Sequence, residues 1–310
     1  MSPIIEKYLL AIDIGSNAMR ATLAVSDSSN DLDIIENFRY PLRLGDDVFQ
    51  KGRVSNKKIQ SIDEAFIDLS EVIREYKIKS VKAIATSALR DAANGQDICE
   101  KIFLKHGIKI EIISGEREAN LIKNAIESSI ELKNKRCLLI DIGGGSTEII
   151  VTQGSDILYE KSFQCGTVRL LQEPDEAQIK KMATNLTKEL SKDLKNKKIG
   201  QQFNITIGTG GNLRRIGKLR KVFFKRSYRK ITQSELSAIS SEVKKFSLNQ
   251  RVSFLNMRKD RADVIVPAMI IIEEIMIKLD ILEIHLPHVG LKEGILLEMI
   301  PKKPRFIYYR

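Results

Sequence analysis

The chain has 310 residues, a length that fits two domains and exceeds what a single small core requires. Hydrophobic residues make up 43% of the chain and charged residues 29%, which is typical of a soluble globular protein. The longest apolar stretch, residues 264–272, contains Pro267 and is too short to span a membrane. The charged N-terminus does not have the pattern of a signal peptide.

The formal net charge of +11 favours a polyanionic partner. Much of this charge lies in residues 214–230, and from this segment we select candidate polyanion-binding residues: Arg214, Lys221, Lys225 and Arg226. A nucleic acid, an acidic membrane surface, a nucleotide or a chain of phosphates would each suit such a charge. A solvated basic face with no partner is the alternative.

The three cysteines, Cys99, Cys137 and Cys165, show neither a disulfide framework nor a metal-binding spacing. We therefore expect a protein of the reducing cytoplasm. The three histidines have no ligand spacing either, and we expect them to be structural.

The predicted elements follow the same order twice along the chain. The first part predicts three strands between residues 8 and 40, a helix over 56–76, a strand over 81–86, a helix from Ser87, a strand over 108–113, and a helix from 115 to about 130. After the polar stretch 131–136, the second part predicts three strands from Cys137, a helix over 175–195, a strand over 203–209, further helices, a strand over 283–286, and a helix over 291–300. This order predicts a duplicated α/β architecture with domains at residues 1–130 and 131–310, the last helix being free to return to the first domain.

Two glycine-containing turns carry the clearest functional signal. In each, an apolar strand delivers an aspartate, Asp13 or Asp141, to a Gly turn, and a second β-patterned stretch follows at once. A Walker loop would need a lysine, and a dinucleotide fingerprint would need a helix after the turn, so neither fits. Backbone N–H groups at such turns can hold an anion, although ordinary hairpin turns capped by the aspartates are the alternative.

We expect the two turns to face each other across a cleft between the domains and to clamp a phosphate. The candidate phosphate-binding residues are Gly15, Ser16, Asn17, Arg90, Gly143, Gly144, Gly145, Ser146 and Thr147. Candidate ligands for a divalent cation such as Mg²⁺ are Asp13, Asp141 and Glu148. The acidic residues that follow Ser114 lie at a strand–helix junction, where they either serve catalysis or interact with the helix dipole.

The chain resembles the exopolyphosphatase/guanosine pentaphosphate phosphohydrolase (Ppx/GppA) family, within the actin–hexokinase superfamily. The matching motifs, in family order, are Ala-Ile-Asp13-Ile-Gly-Ser-Asn17, Ala-Thr86-Ser-Ala-Leu-Arg90, Ile-Ile-Ser-Gly-Glu116-Arg-Glu118-Ala, Asp141-Ile-Gly-Gly-Gly-Ser-Thr-Glu148, Gly208-Thr-Gly-Gly, Arg261-Ala-Asp-Val-Ile and Gly290-Leu-Lys-Glu-Gly-Ile-Leu. The resemblance implies two RNase H-like (actin-like ATPase) domains, dependence on Mg²⁺, and hydrolysis of a terminal phosphoanhydride bond. It also implies that Glu118 is the catalytic glutamate, with Asp141 and Glu148 in the catalytic set.

Two residues depart from the family pattern. Ala18 stands where the family usually has Ser or Thr, which removes one hydroxyl contact to phosphate. Arg117 replaces a residue that is often acidic and places a positive charge beside Glu118.

The expected activity is that of an exopolyphosphatase, and guanosine pentaphosphate is the alternative substrate. The expected partner is therefore one of these phosphate compounds, while a membrane and nucleic acid are disfavoured and a homodimer is left open. Two other readings stay open: a kinase or ATPase of the same superfamily, and a non-catalytic protein that senses polyphosphate or an alarmone.

Overall fold

The computed structural model describes residues 7–26, 31–173, 175–301 and 307–309. By their contacts the residues form two compact units, unit 1 (Met1–Glu131 with Val289–Arg310) and unit 2 (Leu132–His288). The sequence-based division had assigned all of residues 131–310 to the second domain and had left the last helix free to return. The structure groups this C-terminal segment with unit 1.

Unit 1 is built on a six-stranded sheet in the order β12-β3-β2-β1-β4-β5. Its strands are β1 (Lys7–Ile14), β2 (Met19–Ser26), β3 (Leu32–Tyr40), β4 (Ser80–Ala85), β5 (Ile110–Ile112) and β12 (Ile307–Tyr309). Its helices are α1 (Leu44–Lys51), α2 (Asn56–Glu75), α3 (Ser87–Asp91), α4 (Gly95–His106), α5 (Gly115–Glu127) and α12 (Leu291–Glu298). β1 pairs antiparallel with β2 and parallel with β4, so the carboxyl end of β1 lies beside the carboxyl end of β4.

Unit 2 has a second six-stranded sheet, in the order β10-β11-β9-β6-β7-β8. Its strands are β6 (Arg136–Ile142), β7 (Thr147–Gln153), β8 (Asp156–Phe163), β9 (Ile205–Thr209), β10 (Lys230–Thr232) and β11 (Glu283–His285). Its helices are α6 (Glu176–Asn196), α7 (Gly210–Phe224), α8 (Gln233–Lys245), α9 (Leu248–Ser253), α10 (Lys259–Ala262) and α11 (Ile265–Lys278), with a 3₁₀ turn at Arg169–Gln172.

The two sheets repeat one topology. The order β3-β2-β1-β4-β5 of unit 1 corresponds to the order β8-β7-β6-β9-β11 of unit 2. In both, an antiparallel three-stranded meander is extended by parallel strands, which is the arrangement of the RNase H-like fold. The predicted duplicated α/β class is therefore confirmed.

Each unit has its own apolar core because the central strands bury both faces. In β1, six consecutive residues from Leu9 to Ile14 are buried, and β7 is buried from Thr147 to Thr152. The apolar helix α11 packs against α6, α7 and α8 in unit 2. Among the described residues no helix is both long enough and apolar enough to cross a membrane.

The helix α12 packs against α5 and β1 in unit 1. Its Gly294 lies so close to the carbonyl of Leu121 in α5 that an added methyl group would overlap it. The glycine therefore permits the close approach of the two helices. This contact joins residues that are far apart in sequence, which explains why a division drawn along the chain had left the position of the last helix open.

Candidate functional site

The turn between β6 and β7, residues 143–146, is held by the segment that follows β8. The N–H of Gly143 donates to the carbonyl of Ser146 at 3.0 Å and closes the turn. The carbonyls of Gly143 and Gly144 accept from the N–H groups of Thr167 (3.1 Å) and Val168 (2.7 Å). Because the carbonyls are bound on this side, the backbone orientation of the turn is fixed.

The N–H groups of the same turn are differently placed. Those of Gly144, Gly145 and Ser146 donate to no acceptor within the part of the chain that the structure describes. Three successive N–H groups of this kind form a concave donor set that suits an anion. The phosphate-binding role of the turn stays a prediction. The Thr147 hydroxyl, which the prediction included, donates to the Cys165 carbonyl at 2.5 Å.

Gly166 packs directly against this turn. An added methyl group there would overlap the backbone of Gly145 and Ser146. We expect Gly166→Ala to displace the turn, to lower the free energy of unfolding by about 1–3 kcal/mol as overpacking does, and to reduce phosphate release. Denaturant unfolding and a phosphate-release assay measure the two effects. Gly290→Ala is the control, since a methyl group there would meet no atom within 4 Å; equal behaviour of the two variants would contradict the packing role of Gly166.

Asp141 and Glu148 are directly opposite each other on β6 and β7, so their side chains point to one face of the sheet. Asp141 is partly buried, and its Oδ1 accepts a hydrogen bond of 2.5 Å from the Thr209 hydroxyl. Glu148 is buried, and its Oε1 accepts from the Ser162 hydroxyl at 2.8 Å. Two carboxylates placed opposite each other repel, which is a cost that a bound cation would offset.

The pair fits a particular kind of metal site. No group of three or more His, Cys, Asp or Glu side chains able to hold a metal occurs among the described residues. Mg²⁺ is usually bound by one or two carboxylates together with substrate phosphates and water. Asp141 and Glu148 therefore suit a cation that arrives with the substrate.

Gly210, the first residue of α7, packs closely against the Asp141 carboxylate. Its φ is +89°, and a Cβ atom there would lie 2.9 Å from the Asp141 Oδ1. Only glycine can adopt this left-handed conformation readily and also leave space for the Asp141 carboxylate. The Gly208-Thr-Gly-Gly motif thus supplies a strand end, the Thr209 hydroxyl, and the space that Asp141 needs.

The turn between β1 and β2 in unit 1 has the same hydrogen bond, from the N–H of Gly15 to the carbonyl of Ala18 at 3.2 Å. The Ser16 hydroxyl, however, lies 2.8 Å from that of Ser87, and Ser16 is buried. The Asn17 side chain accepts from Arg43 at 3.3 Å. These two predicted phosphate-binding side chains therefore make contacts within unit 1.

Asp13 differs from its counterpart in unit 2. The residue opposite it is Arg20, and the Arg20 Nη1 lies 3.0 Å from the Asp13 Oδ2. Burial raises the pKa of Asp13, and the charge and hydrogen bond of Arg20 oppose this rise. The charges of Glu293 and Lys292, at the start of α12, also act on Asp13. One carboxylate oxygen of this candidate metal ligand is therefore already bound to a cation of the protein.

Glu118 and Arg90 come together where β5 leads into α5. Ser114 caps α5 by accepting from the N–H of Arg117 at 3.1 Å, which places Glu118 in the first part of the helix. Glu118 is buried, and its Oε2 lies 3.5 Å from the Arg90 Nη1. The same Nη1 donates to the Ile113 carbonyl at 2.8 Å, which fixes the guanidinium. A buried carboxylate beside a fixed, partly exposed arginine can accept a proton next to a bound anion.

The side chain of Arg117 forms an ion pair with a different carboxylate, that of Glu298. Its Nη2 lies 2.5 Å from the Glu298 Oε1 on α12, and the Lys82 Nζ lies 2.6 Å from the other oxygen of Glu298. The departure from the family pattern at residue 117 is thus accommodated by an ion pair. Ala18, the other departure, is buried and contributes its carbonyl to the turn.

Comparison with known proteins identifies the family of the chain. A model of the Ppx/GppA phosphatase family matches residues 23–303, which is most of the chain. The chain belongs to the Ppx/GppA phosphatase family.

Three relatives illustrate the range of proteins that the chain is similar to. A bifunctional 3-dehydroquinate synthase/phosphatase of Fusobacterium nucleatum is 29% identical over 299 residues, which are 88% of this chain and 44% of the relative. A guanosine-5'-triphosphate,3'-diphosphate pyrophosphatase of Photobacterium profundum is 29% identical over 171 residues, 55% of this chain and 34% of the relative. An exopolyphosphatase 1 of Mycobacterium bovis is 21% identical over 299 residues, 93% and 87% of the two chains. The chain spans less than half the length of the first two relatives.

Solved structures support the fold. The crystal structure of an exopolyphosphatase from Cytophaga hutchinsonii superposes with a TM-score of 0.85 at 23% identity, covering 94% of this chain and 97% of that one. The Ppx/GppA family member of Aquifex aeolicus superposes with a TM-score of 0.78 at 25% identity, covering 94% and 97%. The expected Ppx/GppA architecture is therefore confirmed.

In this Ppx/GppA family member the basic segment of residues 214–230 contains exposed side chains without an ion pair and side chains that pair with a carboxylate. Lys221 and Lys225 are exposed, and neither lies within ion-pair distance of a carboxylate in the described ranges. Arg226 is also exposed, but its Nη1 lies 3.0 Å from the Glu235 Oε1. Arg214 is half-buried in α7. The four predicted polyanion-binding residues therefore differ in how freely they could meet a ligand.

Arg220 belongs to the fold and not to a binding surface. It is buried and contacts Glu235 twice, at 2.7 and 3.0 Å. Burial alone would raise the pKa of Glu235, but the hydrogen bond from Arg220, backed by its charge and by Arg226, lowers this pKa to about 2. Because Glu235 also completes the capping box of α8 with Thr232, the pair joins α7 to the start of α8.

Sequence reasoning missed several residues that shape the site. Thr209, Ser162 and Gly166 contact the Asp141–Glu148 pair or its turn, yet each lies at least 14 residues from its partner. No local pattern marks such contacts. Arg20 is different: a four-residue turn after β1 sets Asp13 opposite Arg20, so the hairpin register itself was a usable signal.

Proposed function

We propose that this Ppx/GppA family member hydrolyses the terminal phosphoanhydride bond of inorganic polyphosphate and releases orthophosphate. Guanosine pentaphosphate is the alternative substrate. The observation that carries the proposal is the buried Glu118 carboxylate beside the fixed Arg90 guanidinium, at the start of α5. The Mycobacterium bovis relative bears the name exopolyphosphatase, and the Photobacterium relative is named for a guanosine nucleotide.

In the proposed reaction Glu118 acts as general base. It takes a proton from a water molecule whose oxygen forms a new bond to the terminal phosphorus, while the bridging P–O bond breaks and the shortened chain leaves with its oxygen. The N–H groups of Gly144, Gly145 and Ser146 bind phosphate oxygens. Arg90 offsets negative charge on the substrate.

We assign the divalent cation to Asp141 and Glu148. A cation held there would neutralise charge that develops on the phosphate oxygens. Thr209 and Gly210 hold the Asp141 carboxylate in place by a hydrogen bond and by close packing. Asp13 contributes less to cation binding in this proposal, because Arg20 already pairs with its Oδ2.

Two exposed lysines, Lys221 in the last turn of α7 and Lys225 directly after the helix, would bind the rest of a polyphosphate chain. We expect the double substitution Lys221→Ala and Lys225→Ala to raise KM for polyphosphate more than it lowers kcat, because charges away from the reacting bond contribute uniform binding. The effect should grow with chain length and shrink at high salt, where screening shortens the reach of the charges. Steady-state kinetics on short and long polyphosphate measure it. Lys188→Ala with Lys195→Ala, two exposed lysines of α6, is the charge-matched control; an equal effect in both double variants would leave α7 as a solvated basic face.

Two other activities are open to the same residues. A kinase or ATPase of the superfamily would bind adenosine in unit 2, and Gly208-Thr-Gly-Gly is compatible with such a pocket. A non-catalytic sensor would bind polyphosphate or an alarmone without releasing phosphate. The placement of Glu118 beside Arg90 favours hydrolysis over both. A cytoplasmic location and a homodimer stay predictions.

Phosphate release tests the proposal. Short polyphosphate, long polyphosphate, guanosine pentaphosphate and ATP are incubated in parallel with the protein and Mg²⁺. Faster release from one of the first three than from ATP supports the proposed function and identifies the substrate. Turnover of ATP alone would support the kinase or ATPase reading.

A further inference from the structure

Two arginines of unit 2, which the proposed reaction does not use, lie on segments that contact each other. Arg215 lies on α7, and Arg258 is the residue that precedes α10. The Arg215 Nη2 donates to the carbonyl of Leu255, three residues before Arg258, so α7 contacts the loop that leads to α10. Arg215 is half-buried and Arg258 is exposed.

The pair is not neutralised by the protein. In the described part of the chain no carboxylate lies within ion-pair distance of Arg214, Arg215 or Arg258. Burial and the charge of Arg258 both lower the pKa of Arg215. The Nε atoms of Arg214 and Arg215 are buried and have no hydrogen-bond acceptor among the described residues. The positive charge of this cluster is therefore not offset by a carboxylate of the described residues, which favours a negatively charged ligand.

A chain of contacts connects the pair to the phosphate-binding turn of unit 2. The carbonyl of Gly143 in the turn accepts from the Thr167 hydroxyl at 3.3 Å, and this hydroxyl accepts from the Asn212 Nδ2 at 3.1 Å. Asn212 accepts in turn from the buried Arg261 of α10. Asn212 and Arg215 are one helical turn apart on α7, about 4.5 Å along its axis. Arg215 therefore lies one helical turn from Asn212, whose side chain is connected to the turn through Thr167, and Arg258 lies three residues after the Leu255 carbonyl that Arg215 contacts.

Arginine is well suited to this position. Its planar guanidinium binds phosphate oxygens through two parallel N–H donors, which an ammonium group cannot do. The bond from Arg215 to the Leu255 carbonyl already restricts the side chain, which lowers the entropy cost of binding. An oxyanion between two guanidiniums would also remove the repulsion between them.

We propose that Arg215 and Arg258 form a second oxyanion site, which binds a phosphate group of the substrate remote from the bond that is hydrolysed. The inference rests on the proposed function for its choice of substrate. The remote group is either an internal phosphate of polyphosphate or the 3'-diphosphate of the guanosine nucleotide, since both offer the same oxygens to the pair.

Equilibrium binding tests this site without relying on turnover. Tripolyphosphate and guanosine tetraphosphate are titrated calorimetrically into the full chain that carries Glu118→Gln, with and without Arg258→Gln. Arg258 is exposed and its side chain makes no capping bond, so its replacement should preserve the fold. Arg229→Gln is the matched control, because Arg229 is also exposed, lies in the same unit and has no ion pair among the described residues.

We expect Arg258→Gln to weaken binding of at least one probe by about tenfold, the loss typical of one charge-assisted contact, and Arg229→Gln to change it by less than about twofold. The probe that loses affinity identifies the remote group. Equal affinities of the Arg258 and Arg229 variants for both probes, or no measurable binding of either probe to the parent chain, would overturn the site. If Arg258→Gln weakens binding while the unsubstituted chain releases no phosphate, the site stands and the proposed hydrolysis fails.

Discussion

Replacing Glu118 by Gln is expected to reduce phosphate release by about 10²–10⁴-fold and to leave substrate binding nearly unchanged. Gln keeps the shape of the side chain but cannot accept the proton of the attacking water. Because Glu118 is buried beside Arg90, the substitution changes the protonation chemistry at one fixed position. Single-turnover phosphate release and equilibrium binding of the substrate separate the two effects.

Glu116→Gln is the matched control for this experiment. Glu116 lies in the first turn of the same helix and is exposed, so its replacement removes an equal charge from the helix N-terminus. We expect its rate to stay within about twofold of the unsubstituted chain, because an exposed carboxylate at a helix start contributes well under 1 kcal/mol. A Glu118 variant that keeps more than about half of the original rate would show that another group is the base.

Asp141→Ala is expected to lower phosphate release about a hundredfold or more, and removal of divalent cations should have a similar effect. A bound cation stabilises the transition state by several kcal/mol, and each 1.36 kcal/mol corresponds to a factor of ten in rate. Asp141 lies opposite Glu148 on the same face of the sheet, so the substitution leaves only one carboxylate of the pair. Phosphate release measured against Mg²⁺ concentration, with chelator at zero metal, gives both quantities.

Asp156→Ala serves as the control, since Asp156 is an exposed aspartate at the other end of the β7–β8 hairpin. It should release phosphate at the original rate and with the original metal dependence. Full activity of the unsubstituted chain in excess chelator would remove the cation from the mechanism. A normal rate for the Asp141 variant at saturating Mg²⁺ would remove Asp141 from the cation site.

The fold could be predicted from the sequence because its signals are local. The first strand of each sheet along the chain is apolar, has an aspartate as its next-to-last residue and leads into a Gly turn, and this pattern occurs at Asp13 and at Asp141. The repeated order of strands and helices then identified the duplicated topology. The boundaries differ by one to three residues, as for the strand expected over 203–209, which begins at Ile205.

The contacts that complete the site are non-local and could not be predicted. Gly166 supports a turn 20 residues earlier, and Thr209 binds Asp141 across 68 residues. The same holds for the basic segment of residues 214–230. The sequence shows that Arg226 is charged, but it does not show that Arg226 forms an ion pair with Glu235. The contact between Arg90 and Glu118 was foreseeable, because the parallel strands β4 and β5 end at one edge of the sheet.

The central claim is the removal of a terminal phosphate with Glu118 as base, and product analysis tests it most directly. Tripolyphosphate or guanosine pentaphosphate is mixed with excess protein and Mg²⁺, and the products are separated by ion-exchange chromatography. The account predicts one orthophosphate for each molecule that is shortened by one phosphate, in the unsubstituted chain and with Glu116→Gln, and almost none with Glu118→Gln. Unchanged substrate in every sample, or the same products from the Glu118 variant at the same rate, would contradict it.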